Sequence, residues 1–300
     1  MSNSETPTLA SKGVKLSLQE RVGIIEVDNA FATAKITTHG GCVLSFIPKL
    51  PANTQDLLWV SPTAVYSGEK PIRGGIPICW PWFGAHPTED EKPAHGFVRN
   101  NVWQLDEVNT LESGATEIVL SFESTPEAWV IWPHYFQLEL KIEVGEQLSL
   151  SLSTTNLSDE EMVLTEAFHT YFNIENANEL NISGLDKSRH LDKLTHAAEE
   201  IHTGNLVLKP PMDSVYLDQT ADIIIEDKGH NRQIKMTKQS SGSAVVWNPG
   251  PETVKGFGDI PDDQWSTFAC VEAGNIFDNA IRLQKDEKHS FNMQLSNIAS

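Results

Sequence analysis

The chain has 300 residues, of which 39% are hydrophobic and 8% aromatic, enough apolar material for a packed core. Its 22 basic residues are outnumbered by 41 acidic ones, giving a net charge of −19. With no basic cluster, that acidity argues against nucleic acid or an anionic membrane as a partner.

Met1 to Pro7 contains no basic segment followed by an apolar one, so no secretory signal is expected, and no apolar run is long enough to span a bilayer. Residues 1–13 are expected to form a flexible tail and 14–300 one domain, since all-β chains often exceed the usual domain length. Cys42, Cys79 and Cys270 are odd in number, widely spaced and free of C-x-x-C pairing. They read as buried thiols in strands of a protein kept in a reducing compartment, the cytoplasm.

Pro71 to Gly84 breaks any strand pattern with glycines, prolines, Trp80, Trp82 and Phe83. Its indoles could stack on the apolar face of a sugar, Trp82 being the candidate, or could plug one end of the fold. Pro93 to Arg99 places His95 and Arg99 around Gly96. Only six arginines occur in the chain, and Arg73 and Arg99 both fall in these loops, which suggests an anionic ligand group or a pair of structural ion pairs.

From Glu117 onward the chain alternates at period two. Ile118, Leu120 and Phe122 share one face, as do Phe136, Leu138, Leu140, Ile142 and Val144, and then Leu148, Leu150 and Leu152. Such alternation indicates half-buried antiparallel strands. In Thr165 to Asn173, a strand would aim Phe168 and Phe172 one way and His169, Tyr171 and Asn173 the other. A helix is expected over Leu191–His202. Further strands are expected at Ala221–Ile225, Gln233–Thr237, Ser243–Trp247 and Ser290–Leu295, with a helical turn within Pro251–Phe257. Glu272 lies in an otherwise small, apolar strand, where desolvation would raise its pKa. Many strands with Gly, Pro and Asn turns and no linker indicate an all-β class, a large antiparallel β-sandwich or barrel.

No phosphate-loop, nucleophile-elbow or H-E-x-x-H motif is present. His190, His196 and His202 are six apart, which does not set them on one helix face as metal ligands. Glu89 to Glu91 reads as a solvated acidic loop.

Together, several segments in order resemble the aldose 1-epimerase (galactose mutarotase-like) superfamily, and within it the hexose-6-phosphate mutarotase, or glucose-6-phosphate 1-epimerase, branch. They are Arg73-Gly-Gly-Ile-Pro77 with Trp80-Pro-Trp-Phe-Gly84, His95-Gly-Phe-Val-Arg99, Phe168-His-Thr-Tyr-Phe-Asn173, Trp247-Asn-Pro249 and Cys270-Val-Glu-Ala-Gly-Asn275. The resemblance covers nearly the whole chain. It implies a supersandwich with a sugar site on its concave face and an isomerase that interconverts α and β anomers without a cofactor. It also implies His169 as general acid at the ring oxygen and Glu272 as general base at the anomeric hydroxyl. His95 would orient the sugar, Arg73 and Arg99 would grip a 6-phosphate, and Asp213 would bind sugar hydroxyls. Where arginine often follows that aspartate in the phosphate branch, this chain has Ser214. The expected partner is a small sugar phosphate, glucose 6-phosphate foremost, and the expected state is a monomer or weak dimer. The alternatives are a mutarotase of an unphosphorylated aldose and a non-catalytic sugar-binding β-sandwich.

Overall fold

Period-two alternation builds the strands, and one row of apolar side chains carries each strand into the core. In Phe136–Val144 the five alternating residues Phe136, Leu138, Leu140, Ile142 and Val144 are buried, while Gln137 and Lys141 face solvent. Leu140 lies opposite Leu120 on one neighbouring strand and Leu152 on the other, so the row continues across the sheet. The structure, a computed structural model, describes residues 12–49 and 55–298. The first strand begins at Val14, and most of the tail expected over 1–13 lies outside the described residues.

These strands belong to a nine-stranded antiparallel sheet whose edges are Gln104–Thr110 and Leu206–Val207. Opposite it stands an eight-stranded sheet. There Phe268–Asn275 is flanked by Ser243–Asn248 on one side and by Glu166–Phe168 and Tyr171–Asn173 on the other, with Met212–Leu217 beyond Ser243–Asn248. The sheets meet through stacked rings: Phe168 of one lies 4.4 Å from Phe291 of the other. A four-stranded sheet, Val14–Gln19, Val22–Asp28, Ala32–Thr37 and Cys42–Pro48, adds Ile25, Ile36 and Phe46 to the same apolar cluster. The all-β antiparallel sandwich read from the sequence is the architecture found.

The later strands appear as Ile223–Asp227, Arg232–Gln239, Ser243–Asn248 and Lys288–Ile298, and a short helix forms at Gly250–Thr253. All three cysteines are buried, in or at the start of strands. The helix expected over Leu191–His202 is absent. Arg189–Asp192 and Glu200–Ile201 are strands, joined by a turn and loop. Leu, Ala, Glu and Lys there favour a helix, but sheet pairing of Arg189–Asp192 with Met212–Leu217 overrides that weak local preference. Among the described residues no helix is long and apolar enough to cross a membrane.

Because Phe291 is fully buried in the inter-sheet stack, Phe291→Ala is expected to lower stability by about 3–5 kcal/mol. The measurement is the urea midpoint at unchanged m value. A shift under about 1 kcal/mol would mean that this stack does not tie the sheets together.

Candidate active site

Every residue of Phe268–Asn275 is buried. Ala269, Val271 and Ala273 face the main core, so alternation sends Phe268, Cys270 and Glu272 to the opposite face. On that face the register sets Asp213, Trp247, Cys270 and Tyr171 in one cross-strand row, with Val245 beside Glu272 in the next. His169 stands in the gap between Glu166–Phe168 and Tyr171–Asn173, where its backbone N–H donates to Pro77 O at 2.9 Å. Phe168 and Phe172 enter the core, and His169 and Tyr171 turn to the other face. Asn173 departs from the expected polar cluster: its amide donates to Asp56 O, outside the cleft.

The result is a cleft of about 200 Å³, small beside common ligand pockets of about 300–1,000 Å³. His95, His169, Asp213 and Glu272 line it together with the cations Arg73 and Lys193. Phe83, Tyr171, Trp247 and Phe257 supply aromatic walls. A larger groove of about 710 Å³ lies against the four-stranded sheet but contains no histidine or cysteine.

The loops that deliver Arg73 and His95 need glycine beside them. Gly74 has φ +118, and a Cβ there would lie 2.4 Å from Trp59 O. At Gly96, φ +73, the same atom would lie 1.8 Å from Trp80 O. His95 itself holds φ 63, a left-handed conformation uncommon for a residue with a side chain. Arg73 is held on three sides: Nε donates to Asp259 at 3.0 Å, an Nη donates to Tyr171 Oη at 3.1 Å, and the guanidinium lies 5.2 Å from the Phe257 ring centroid. Lys193 Nζ donates to Asp213 at 3.0 Å.

His169 Nε2 is 3.5 Å from Glu272 Oε1. Burial drives His169 well below the usual histidine range, and the His95 ring and the Arg99 and Arg73 charges add to that. Glu272 is driven well above the usual carboxylate range, first by burial and then by Asp213, against the pull of Lys193 and Arg99. Neither member gains from being charged alone, so the two form a coupled unit that holds one proton near neutral pH. His95 is pushed down to about 3 by burial, with help from Arg99, Lys193 and Arg73. The Tyr171 ring stacks on His169 at 4.9 Å, and burial raises its phenol, which stays protonated. Among the described residues no group of three or more His, Cys, Asp or Glu side chains is placed to hold a metal ion.

Two residues singled out in the sequence do not line this cleft. Trp82 is buried, its indole N–H donates to Pro93 O at 2.9 Å, and it packs on His86 and Phe97, so it plugs the fold and offers no face to a sugar. Arg99 turns back to Ala94 O at 2.9 Å and acts on His95, His169 and Glu272 through its charge. Conversely, Lys193 was hidden inside the segment read as helical. As a strand, Arg189–Asp192 brings Asp192 opposite Ser214 and delivers Lys193 beside Asp213. Ser214 bonds His190 instead, at 3.1 Å, and the cation beside Asp213 is Lys193, in the turn that follows Arg189–Asp192.

The aldose 1-epimerase family model matches residues 23–296. The chain belongs to the aldose 1-epimerase family. An Escherichia coli K12 protein provisionally named glucose-6-phosphate 1-epimerase is 36% identical over 84% of this chain and 83% of its own length. A similarly named Salmonella typhimurium protein is 33% identical over 95% and 92%. A Salmonella typhimurium crystal structure assigned provisionally as a mutarotase superposes with a TM-score of 0.89 at 28% identity, covering 98% of this chain and 96% of that one. Galactose 1-epimerase of Lactobacillus acidophilus shares the fold, at TM-score 0.70 and 14% identity. As a member of this aldose 1-epimerase family the chain is an isomerase of the mutarotase type.

In the ligand-free protein, the His169 ring is expected to keep the NMR shifts of a neutral imidazole as pH falls through 6.5. Half-protonation near 6.5 would mean that burial does not control the pair.

Proposed function

We propose that the chain interconverts the α and β anomers of a hexose 6-phosphate, glucose 6-phosphate foremost. The observation that carries this reading is the His169–Glu272 pair at 3.5 Å in a cleft that also holds Arg73 and Lys193. Two cations facing one small cleft in a chain of net charge −19 suit an anionic substituent. The names of the Escherichia coli and Salmonella relatives support the same substrate.

Ring opening takes a proton from the anomeric hydroxyl and gives one to the ring oxygen. Rotation about the bond from C1 to C2 presents the other face of the aldehyde, and closure reverses both transfers. His169 acts as general acid at the ring oxygen and Glu272 as general base at the anomeric hydroxyl. Burial favours the neutral pair in the free protein, with the proton on Glu272. The first step starts from the state with the proton on His169, which a phosphate dianion beside Arg73 favours by offsetting part of the positive field that adds to burial in depressing the imidazole. Asp213 and Lys193 bind hydroxyl and phosphate oxygens, and Phe83, Trp247 and Phe257 keep water from the ring.

A second reading, mutarotation of an unphosphorylated aldose, draws on a specific observation: Asp259 already pairs with Arg73, and Asp213 with Lys193. Anomer-exchange NMR on glucose 6-phosphate and galactose separates the two. Acceleration is expected for the phosphate, falling about 10²- to 10⁴-fold in His169→Ala. Arg73→Met and Lys193→Met are each expected to raise KM for the phosphate about 10- to 100-fold, the loss of a charged hydrogen bond. Acceleration of galactose that ignores both substitutions would establish the second reading, and saturable binding without any exchange would make the protein a binding module.

A further inference from the structure

Two buried thiols lie under the cleft, and the proton transfers described above use neither. One of them, Cys79, touches a cleft histidine: its Sγ is 3.3 Å from His95 Nδ1. The Gly84 backbone N–H reaches the same nitrogen, also at 3.3 Å. A backbone N–H can only donate, so this nitrogen accepts, and in a neutral imidazole the nitrogen that accepts does not carry the proton.

We infer that the Cys79 thiol and the Gly84 amide together hold His95 as its Nε2–H tautomer, which makes Cys79 a positioning residue and His95 a hydrogen-bond donor to a sugar oxygen. The role toward sugar rests on the proposed function, whereas the tautomer does not. The imidazole is neutral at working pH, because burial and three nearby cations oppose a second proton. The thiol keeps its own proton, because burial opposes a thiolate more strongly than the Arg99 charge favours one. It therefore donates where a thiolate would accept.

The surrounding backbone fixes this geometry. Ile78–Cys79 pairs with Ala167–Phe168, the segment that leads directly into His169, so one ladder positions both the thiol and the acid. Gly84 holds His95 twice: its carbonyl accepts from the His95 backbone N–H at 2.6 Å, and its own N–H donates to the ring. With Nδ1 occupied from behind, Nε2 is the nitrogen left for the cleft that His95 lines. As a donor it addresses an oxygen lone pair, such as that of the ring oxygen or the aldehyde, and cannot remove a proton from a hydroxyl. It thereby leaves proton transfer to His169, whose ring centroid is 5.4 Å away.

The test uses ¹⁵N-histidine-labelled full-length protein as wild type, Cys79→Ser and Cys79→Ala, with His95 assigned through His95→Gln. Wild type is expected to show a protonated Nε2 and a bare, hydrogen-bonded Nδ1. Cys79→Ser should preserve both signals, and Cys79→Ala should move Nδ1 toward the shift of a free lone pair. On glucose 6-phosphate, Cys79→Ala should lower kcat about three- to tenfold, the loss of one modest hydrogen bond, with KM little changed and Cys79→Ser largely restoring the rate. A proton on Nδ1 in wild type, or an Nδ1 signal indifferent to Cys79→Ala, would overturn the inference. A wild-type protein that catalyses no anomer exchange would overturn the proposed function, and the nitrogen shifts would still decide the tautomer.

Discussion

Taking an ionised carboxylate out of water is expensive, and a single contact at 3.5 Å does not repay it. Glu272 nevertheless sits on the strand Phe268–Asn275, where every residue is buried, and the surrounding sheet holds it there. That burial sets the protonation of the pair at the centre of the cleft. It raises the carboxyl, lowers the neighbouring imidazole and leaves the two with one proton between them. Burial makes the ionic form of this pair the costlier one, so any ligand that stabilises that form shifts the proton from carboxyl toward imidazole.

The positive side chains act on this balance from two depths. Arg73 and Lys193 line the cleft and are held in place by Asp259, Tyr171, Phe257 and Asp213. Arg99 lies behind, bonded to the backbone, and contributes through its field. Preorganised charges need not rearrange when a ligand arrives, so they act more strongly than mobile surface lysines would. Fixing them with internal carboxylates also keeps a cluster of cations from repelling itself.

Much of the fold was legible because a sheet with one dry face writes its period directly into the chain, as Phe136 to Val144 illustrates. Glu272 was legible as a carboxylate interrupting an apolar strand, and His169 as the centre of a polar face opposite Phe168 and Phe172. Other features depend on pairings that local sequence does not record. Lys193 reaches the cleft only because Arg189–Asp192 joins Met212–Leu217, and its own neighbours favour a helix. Trp82 and Phe83 are adjacent, yet one is a plug and the other a wall, a difference set by loop geometry. Arg99 follows His95 by one short turn, and the same turn carries its side chain back to Ala94.

The tight passage at Gly96 bears on what a sequence signature means. No side chain fits at that position, since even a methyl carbon would collide with the carbonyl of Trp80. Part of the His95-Gly-Phe-Val-Arg99 motif is therefore dictated by two stretches of main chain lying against each other, whatever reaction takes place nearby. A chain that shares the glycine reports first that its backbone follows the same path. Only the histidine next to it speaks to chemistry, and a protein could lose its activity while keeping most of the motif intact.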